Sequence, residues 1–420
     1  MTTAARNYLI VTASYWGFTL TDGALRMLVL LHFFTLGYSP FTLAFLFLLY
    51  EAAGIVANLC GGWLAVRFGI PRMLMAGQLL QITGLLMLSA VEPGWAATVA
   101  VTWVVAAQGI SGLAKDFTKT ASKAAIKATS AEGAGHLFRL VAWFTGSKNA
   151  MKGAGFFIGG LLLQLMGFRA ALWLLATLIA AVLLLAALLL PRELGKAKPS
   201  RTIKELLSKS SGVNFLALAR IFLFGARDVW LVVGVPVYLY AQGWLMAEVG
   251  AVLAAWTIAY GMVQVAAPRV VKRSPDGLSV EVPEARLWAL ALAAVPATLA
   301  ALLRLQHADI AMRYDLAVIA GLGLFGLPFA INSSLHSYLI LAYAGSEKAA
   351  EDVGFYYAAN AAGRLIGTLL SGLLYQIGGL EGCLAASAVM LVACWLVTLL
   401  LPRQVGRQGG AGERLVAGRA

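Results

Sequence analysis

Two lysines, Lys148 and Lys152, lie inside an apolar stretch that is long enough to cross a membrane. Because they are four residues apart, a helix would place them one above the other on a single face, where their ammonium groups repel each other. Burying one such charge at the centre of a bilayer costs about 3 kcal/mol or more. A water-filled cavity or an anion must therefore face them, and the spacing predicts a site for a negatively charged ligand.

The residues around the two lysines support this interpretation. Asn149 can donate a hydrogen bond to a carboxyl or phosphoryl oxygen. Three glycines follow, at positions 155, 159 and 160, and small residues at this spacing predict a close approach by a neighbouring membrane helix.

A comparable polar set occurs in the second half of the chain: Arg220, Arg227, Asp228, Asn360 and Arg364. The planar fork of arginine suits bidentate contacts with phosphate or arsenate, whereas lysine acts as a point charge. Arg227 and Asp228 are adjacent, so a helix is expected to direct them towards different neighbours.

Three carboxylates, Asp22, Glu51 and Asp228, are candidates for carrying a coupling proton. The spacing of Asp22 and Arg26 also permits an ion pair within the first helix, which would make them a structural pair rather than a functional one. Glu51 has no cationic neighbour on its own helix. It could carry a proton, or it could pair with a lysine from another helix.

Four lysines repeat every four residues beside Asp116: Lys115, Lys119, Lys123 and Lys127. The first two can end the fourth apolar segment inside a cavity, while the last two are expected to be ordinary cytoplasmic charges. Attraction of anionic lipid headgroups is an alternative role for this stripe.

The tenth apolar segment contains Pro328, Asn332 and His336. The proline predicts a kink. His336 could titrate near neutrality, although a single histidine in such a segment is often only hydrogen-bonded. The complete set predicted to bind an anion is Arg26, Lys115, Lys119, Lys148, Asn149, Lys152, Arg227, Asn332, His336, Asn360 and Arg364.

The chain offers no pattern that predicts catalysis. It lacks a glycine-rich Walker loop, a paired-histidine metal motif and a nucleophile elbow. Cys60, Cys383 and Cys394 have no paired spacing, which argues against a disulfide framework or a thiolate metal site. We therefore expect no cofactor and no enzyme activity. An enzyme acting on lipid phosphates would be the alternative from another class, but it would need an acid–base pair that the sequence does not offer.

The composition is that of an integral membrane protein. The 420 residues are 60% hydrophobic and only 12% charged, with a mean hydropathy of +0.82. The net charge of +13 reflects lysines and arginines in the loops rather than a nucleic-acid surface. The first apolar segment continues through Asp22 and Arg26, which is unlike a cleavable signal peptide.

Segment lengths predict an all-α fold of twelve transmembrane helices in two six-helix halves. The predicted spans are 8–34, 41–66, 72–90, 96–120, 137–166, 170–190, 213–240, 245–267, 287–305, 314–342, 352–377 and 381–401. The first half comprises residues 1–190 and the second 212–402. They are joined by a cytoplasmic connector, 191–211, and followed by a disordered cytoplasmic tail, 403–420. Basic residues gather in alternate loops, which predicts that both termini are cytoplasmic and that the protein lies in the inner (plasma) membrane.

The two halves resemble each other in sequence. Alignment of Gly37 with Gly243 brings together Asp22 and Asp228, Asn58 and Gln264, and Arg67 and Arg273. Alignment of Gly160 with Gly372 brings together Lys152 and Arg364, Gly155 and Gly367, and Gln164 and Gln376. This repeat predicts two pseudo-symmetric bundles with a site at their interface.

The chain resembles the major facilitator superfamily over nearly its whole length. The loop Gly62-Trp-Leu-Ala-Val66-Arg67-Phe-Gly69 is similar to the family's Gly-x-x-x-Asp-Arg-x-Gly loop, with Val66 in place of the aspartate. Val105 stands where proton-coupled members often have arginine, and Phe156 replaces the proline of the antiporter motif. These departures disfavour a general drug:proton exporter.

Within that superfamily the chain resembles the ArsJ family of organoarsenical efflux permeases. The segments that carry the likeness are Arg6-Asn-Tyr-Leu-Ile-Val-Thr-Ala, Thr19-Leu-Thr-Asp22-Gly-Ala-Leu-Arg26, Ser111-Gly-Leu-Ala-Lys115-Asp116 and Thr145-Gly-Ser-Lys148-Asn149-Ala-Met-Lys152-Gly. The resemblance implies export of 1-arseno-3-phosphoglycerate, which glyceraldehyde-3-phosphate dehydrogenase makes from arsenate, and hence arsenate resistance. That functional link requires no direct binding between the two proteins. Exchange of organophosphates or other organic anions is the alternative transport activity.

Overall fold

The computed structural model describes residues 3–129, 134–191, 209–271, 274, 277–305, 313–344 and 349–402. Within its helices, it describes only the backbone of residues 3–5, 60–66, 123, 124, 126–129, 134–145, 268–270 and 349–351. These ranges contain helices and short connections but no strand. The all-helical prediction is confirmed for this part of the chain. The predicted tail and most of the connector lie outside it, as do the side chains of Lys123 and Lys127.

The helices, in chain order, are α1 (Thr3–Thr35), α2 (Pro40–Phe45), α3 (Leu48–Phe68), α4 (Ile70–Ser89), α5 (Ala97–Thr129), α6 (Ala134–Leu189), α7 (Ser211–Leu231), α8 (Gly234–Ala241), α9 (Met246–Val270), α10 (Glu281–Arg304), α11 (Tyr314–Tyr343) and α12 (Ala349–Leu399). Eight helical stretches of the described residues are long and apolar enough to cross a membrane. Two of these stretches contain 44 and 48 residues, which is twice the length that one crossing requires.

Glycines divide both of the longest elements. Gly167 interrupts α6 with a positive φ of 76°, and Gly379 interrupts α12 with a φ of 58°. Residues with a Cβ rarely adopt this conformation, so glycine is the residue that permits the chain to leave the helix there. α6 and α12 therefore each consist of two helices.

Two predicted spans, 41–66 and 213–240, are not continuous helices. The first is divided at residues 46–47 into α2 and α3, and the second at residues 232–233 into α7 and α8. At the second break, the hydroxyl of Ser371 accepts hydrogen bonds from the backbone N–H groups of Val233 and Gly234, each at 3.2 Å. Pro236 cannot donate to a preceding carbonyl, which also favours a break here. By contrast, α11 remains one helix through Pro328.

The first part of α6 packs against both α1 and α9. A Cβ at Gly155 or Gly159 would overlap a carbonyl oxygen of α1, and a Cβ at Gly160 would overlap the carbonyl oxygen of Met246 in α9. The first part of α12 packs in the same way against α7 and α2. There, Gly372 lies against the carbonyl oxygen of Pro40. The close helix approach predicted from these glycines is confirmed.

Two hydrogen bonds repeat across the same helix contacts. Gln164 of α6 accepts from the backbone N–H of Ala247 at 3.2 Å, and Gln376 of α12 accepts from that of Phe41 at 3.3 Å. Both N–H groups belong to the first turn of a helix, where no intrahelical acceptor exists. The alignment of Gly37 with Gly243 also aligns Phe41 with Ala247, so the sequence repeat corresponds to equivalent contacts in space.

The ends of the helices that carry these contacts lie close together. There the rings of Phe34, near the end of α1, and Tyr240, in α8, meet edge to face with centroids 5.8 Å apart. α1 and α8 are therefore in contact at the end of the bundle that contains the turns 36–39 and 242–245.

Candidate functional site

Glu51 is the centre of the largest charge cluster in the described residues. Its carboxylate is 1% exposed and lies 3.0 Å from a guanidinium nitrogen of Arg26 and 2.7 Å from one of Arg364. The ammonium of Lys115 is 4.0 Å away. These contacts join α1, α3, α5 and α12. Of the two alternatives for Glu51, pairing with cations from other helices is confirmed.

Asp22 has a different partner from the one that its spacing allows. The hydroxyl of Tyr50 donates to its carboxylate at 2.6 Å, while Arg26 turns to Glu51. The alternative in which Asp22 and Arg26 form an ion pair within the first helix is therefore wrong. The ammonium of Lys115 lies 3.8 Å from the ring centroid of Tyr50, which is a favourable cation–π geometry. The sequence reasoning missed Tyr50, and its position directly before Glu51 was the available signal.

Asp228 forms a second centre beside the first. Arg227 donates through Nε to one carboxylate oxygen, and Nε of Arg364 lies 3.4 Å from the other. The expectation that Arg227 and Asp228 serve different neighbours is wrong, because the long arginine side chain folds back onto the adjacent carboxylate. Arg364 thus contacts both Glu51 and Asp228, which makes it the bridge between the two centres.

Lys152 has no ion-pair partner and no hydrogen-bond acceptor for its ammonium among the residues that the structure describes. The ring centroid of Phe156 lies 5.6 Å from the ammonium. Arg364 and Arg26 are close enough to repel Lys152, while Asp22 attracts it without a direct contact. Lys148 is half-buried on the same helix, one turn closer to its beginning.

Lys115 and Lys119 extend the cluster along α5. Lys119 lies 3.2 Å from Asp116 and donates to the side-chain oxygen of Asn58 at 2.9 Å. Their side chains are 16% and 25% exposed, against 2% for Asp116. The first two lysines of the stripe are largely buried, but the prediction that they end the helix is wrong, because α5 continues to Thr129. Asp116 and Asn58 were not among the predicted site residues.

Asn149 and Asn360 lie in a separate polar chain. Asn149 donates to Gln264 at 3.2 Å, which links α6 to α9. Asn360 accepts from Nε of Arg220 at 2.9 Å, and Arg220 also donates to the carbonyl oxygen of Ser333 at 3.0 Å. The amides predicted to bind substrate therefore hold neighbouring helices and an arginine in this structure.

Asn332 and His336 are not placed with the charge cluster. Both side chains are fully buried, and none of their polar atoms has a hydrogen-bond partner in the described residues. The structure thus brings together Arg26, Lys115, Lys119, Lys152, Arg227 and Arg364 with Asp22, Glu51 and Asp228. It does not bring Asn332 or His336 to them.

The cluster has an excess of positive charge. Its cations are Arg26, Lys115, Lys119, Lys152, Arg227 and Arg364, and its carboxylates are Asp22, Glu51, Asp116 and Asp228. Six positive and four negative groups leave two positive charges in excess among these described side chains. Interactions between charges are stronger here than in water, so an anion with two or more negative charges is favoured. No group of described His, Cys, Asp or Glu residues is placed to hold a metal ion.

A buried charge cluster between bundles of apolar helices is typical of membrane transporters. Residues 8–340 match the family model of the Major Facilitator Superfamily, and the chain belongs to that superfamily. It is thus a membrane protein of a transporter family.

Solved transporter structures share the fold. A variant of the nucleoside transporter NupG has a TM-score of 0.69 at 14% identity, over 95% of this chain and 100% of that one. A transporter of the POT family in complex with 5-aminolevulinic acid has a TM-score of 0.71 at 14% identity, over 94% of this chain and 95% of that one. No curated protein matched the sequence.

Proposed function

We propose that this transporter exports an organic polyanion, a phosphorylated organoarsenical such as 1-arseno-3-phosphoglycerate, and thereby confers arsenate resistance. The observation that carries the proposal is Lys152, a cation beside Arg26 and Arg364 that has no ion-pair partner among the described residues, in a cluster with two excess positive charges. The resemblance of the surrounding segments to organoarsenical efflux permeases supports the choice of cargo.

The proposed architecture has twelve spans in two six-helix halves. α2 with α3, and α7 with α8, each form one span, while α6 and α12 each form two. The matching contacts of Gln164 and Gln376 support a pseudo-symmetric pair of halves. In this arrangement the halves rock around a central site, with both termini in the cytoplasm. The end that contains the turns 36–39 and 242–245 then faces outwards.

The two ends of such a cargo match two groups of cations. One group is Lys152 with Lys148 on α6, and the other is Arg227 with Arg364. An entering phosphate or arsenate group competes with Glu51 and Asp228 for Arg364, because a guanidinium has a limited number of donors. Release of these carboxylates would let them take up a proton. Asp22, Glu51 and Asp228 therefore remain the candidates for proton coupling.

The experiment is a measurement of arsenic retained by arsenate-sensitive cells. The chain is expressed with and without a partner glyceraldehyde-3-phosphate dehydrogenase, and only the pair should lower cellular arsenic and raise resistance. Lys152→Gln should abolish this efflux. Arg304→Gln removes a cation that is 72% exposed and should leave efflux unchanged. Arsenic retention that is unaffected by co-expression would refute the proposed cargo.

Exchange of organophosphates is a second candidate, because the cluster is suited to phosphate in general. None of its residues is a cysteine, and the two described cysteines, Cys383 and Cys394, are buried elsewhere. Counterflow of labelled 3-phosphoglycerate in proteoliposomes separates the candidates, since an exchanger would take it up without arsenic. Export of a cationic drug is disfavoured by the excess positive charge.

A further inference from the structure

Arg220 is a second buried cation without a carboxylate partner. It is 4% exposed, and it forms no ion pair with any residue that the structure describes. Two of its donors are used, by the side chain of Asn360 and the carbonyl oxygen of Ser333. These acceptors are neutral, so the positive charge itself is not compensated. An isolated charge in such a place costs several kcal/mol.

Aromatic side chains surround the guanidinium. Its central carbon lies 4.0 Å from the ring centroid of Phe224 and 4.9 Å from that of Tyr356. Both rings are buried, and Tyr356 is completely so. These faces provide a partial attraction for the cation, but they also exclude water from its surroundings.

Contacts between α7 and α11 show which residues lie level with Arg220. Along the two helices, Trp230 meets Phe325 at 5.1 Å and Phe224 meets Phe329 at 5.3 Å between ring centroids. One further turn along, Arg220 donates to Ser333. Asn332 and His336 are four apart on the face that carries Phe325 and Phe329, so we infer from this antiparallel register that they lie level with Arg220.

Asn332 and His336 add unused donors to the same place. Both are 0% exposed, and both polar atoms of each side chain lack a described partner. A buried polar group without a hydrogen bond costs about 1–3 kcal/mol. Of these four atoms, the Asn332 amide nitrogen and one imidazole nitrogen are donors, and two unused donors near an uncompensated guanidinium indicate a missing anionic partner. Arg220, the Asn332 amide and an imidazole N–H can all donate to it.

We propose that Arg220, Asn332 and His336 bind a small monovalent anion of the halide class, chloride in the cell, at a site separate from the central cluster. N–H donors in surroundings that exclude water suit a halide. A small spherical ion also demands less room between buried side chains than a tetrahedral oxyanion. The anion neutralises Arg220 and satisfies the free donors of α11, and it therefore ties α7 to α11.

The test measures thermal unfolding of the purified full chain in chloride and in gluconate at constant ionic strength. Chloride should raise the unfolding temperature with a saturable dependence, because a ligand that binds only the folded state stabilises it. Asn332→Leu and His336→Phe each remove a donor at nearly constant volume. Each should weaken the apparent chloride affinity by about 10-fold, which corresponds to one lost hydrogen bond to a charged group.

The central cluster could also attract chloride, so two controls assign the site. Lys152→Gln should retain the affinity of the unmodified chain, and 3-phosphoglycerate should not displace radiolabelled chloride at equilibrium. The inference is overturned if chloride and gluconate give equal unfolding temperatures. It is also overturned if Asn332→Leu and His336→Phe keep the original affinity, or if Lys152→Gln alone loses it. None of these measurements depends on the exported cargo, so they can fail while the proposed function stands.

Discussion

Neutralising Glu51 tests whether its carboxylate holds the charge cluster together. In Glu51→Gln the shape of the side chain is kept, but Arg26, Arg364 and Lys115 are left facing one another without the shared anion. Glu51 is 1% exposed, and removal of one partner from a buried ion pair costs about 3–5 kcal/mol. We expect a loss of this size in the free energy of unfolding.

The matched control is Glu381→Gln, the same chemical change at an exposed pair. Glu381 lies 2.6 Å from Arg304, a shorter contact than either arginine makes with Glu51, but the Arg304 side chain is 72% exposed. Exposed pairs contribute about 0–1 kcal/mol because water and salt screen them. Reversible unfolding in lipid nanodiscs would give both values. Equal losses in the two variants would refute the reasoning that burial, rather than contact distance, decides the contribution.

An added anion should rescue Glu51→Gln. A bound polyanion such as 3-phosphoglycerate supplies negative charge to the three cations left without Glu51, so its stabilising effect should be larger in the variant than in the unmodified chain. Titration of the unfolding free energy with 3-phosphoglycerate measures this difference. A smaller effect in the variant would show that Glu51 helps to form the anion site instead of competing for it.

Two further predictions concern the contacts between helices. Gly155→Val should destabilise the fold by about 1–3 kcal/mol, because its side chain would overlap the backbone of α1. Gly94→Val, at a position with no neighbour within 4 Å, is the control, and equal unfolding temperatures would contradict this account. Cross-linking Gln164→Cys to Ala247→Cys should stop transport in proteoliposomes until a reductant is added. Continued transport by the cross-linked protein would show that this contact does not open during the cycle.

The features that were predictable from sequence depend on local composition. The length of apolar segments determines how many residues can cross a bilayer, and glycine spacing shows where helices approach. The repeat aligned Gln164 with Gln376, and the structure gives the two residues equivalent contacts, although the alignment named no partner for either. The connector, tail and orientation remain predictions.

Partner choice was the part that sequence spacing could not decide. Four residues separate Asp22 from Arg26, which allows a pair, but Glu51 and Tyr50 on another helix offer better geometry. The break before α8 also depends on a distant residue. The free backbone N–H groups of Val233 and Gly234 donate to the hydroxyl of Ser371, which lies more than 130 residues away in the chain.

The excess of two positive charges in the cluster has an electrical consequence for the proposed cycle. Moving one elementary charge through a full membrane potential of 100 mV changes its free energy by about 2.3 kcal/mol. The proposed cargo carries a phosphate and an arsenate group, so a loaded site is net negative, and a potential that is negative inside favours its outward step. The empty site is positive, and the same potential draws it back towards the cytoplasm. Membrane voltage would then favour both the release of cargo and the return of the empty carrier.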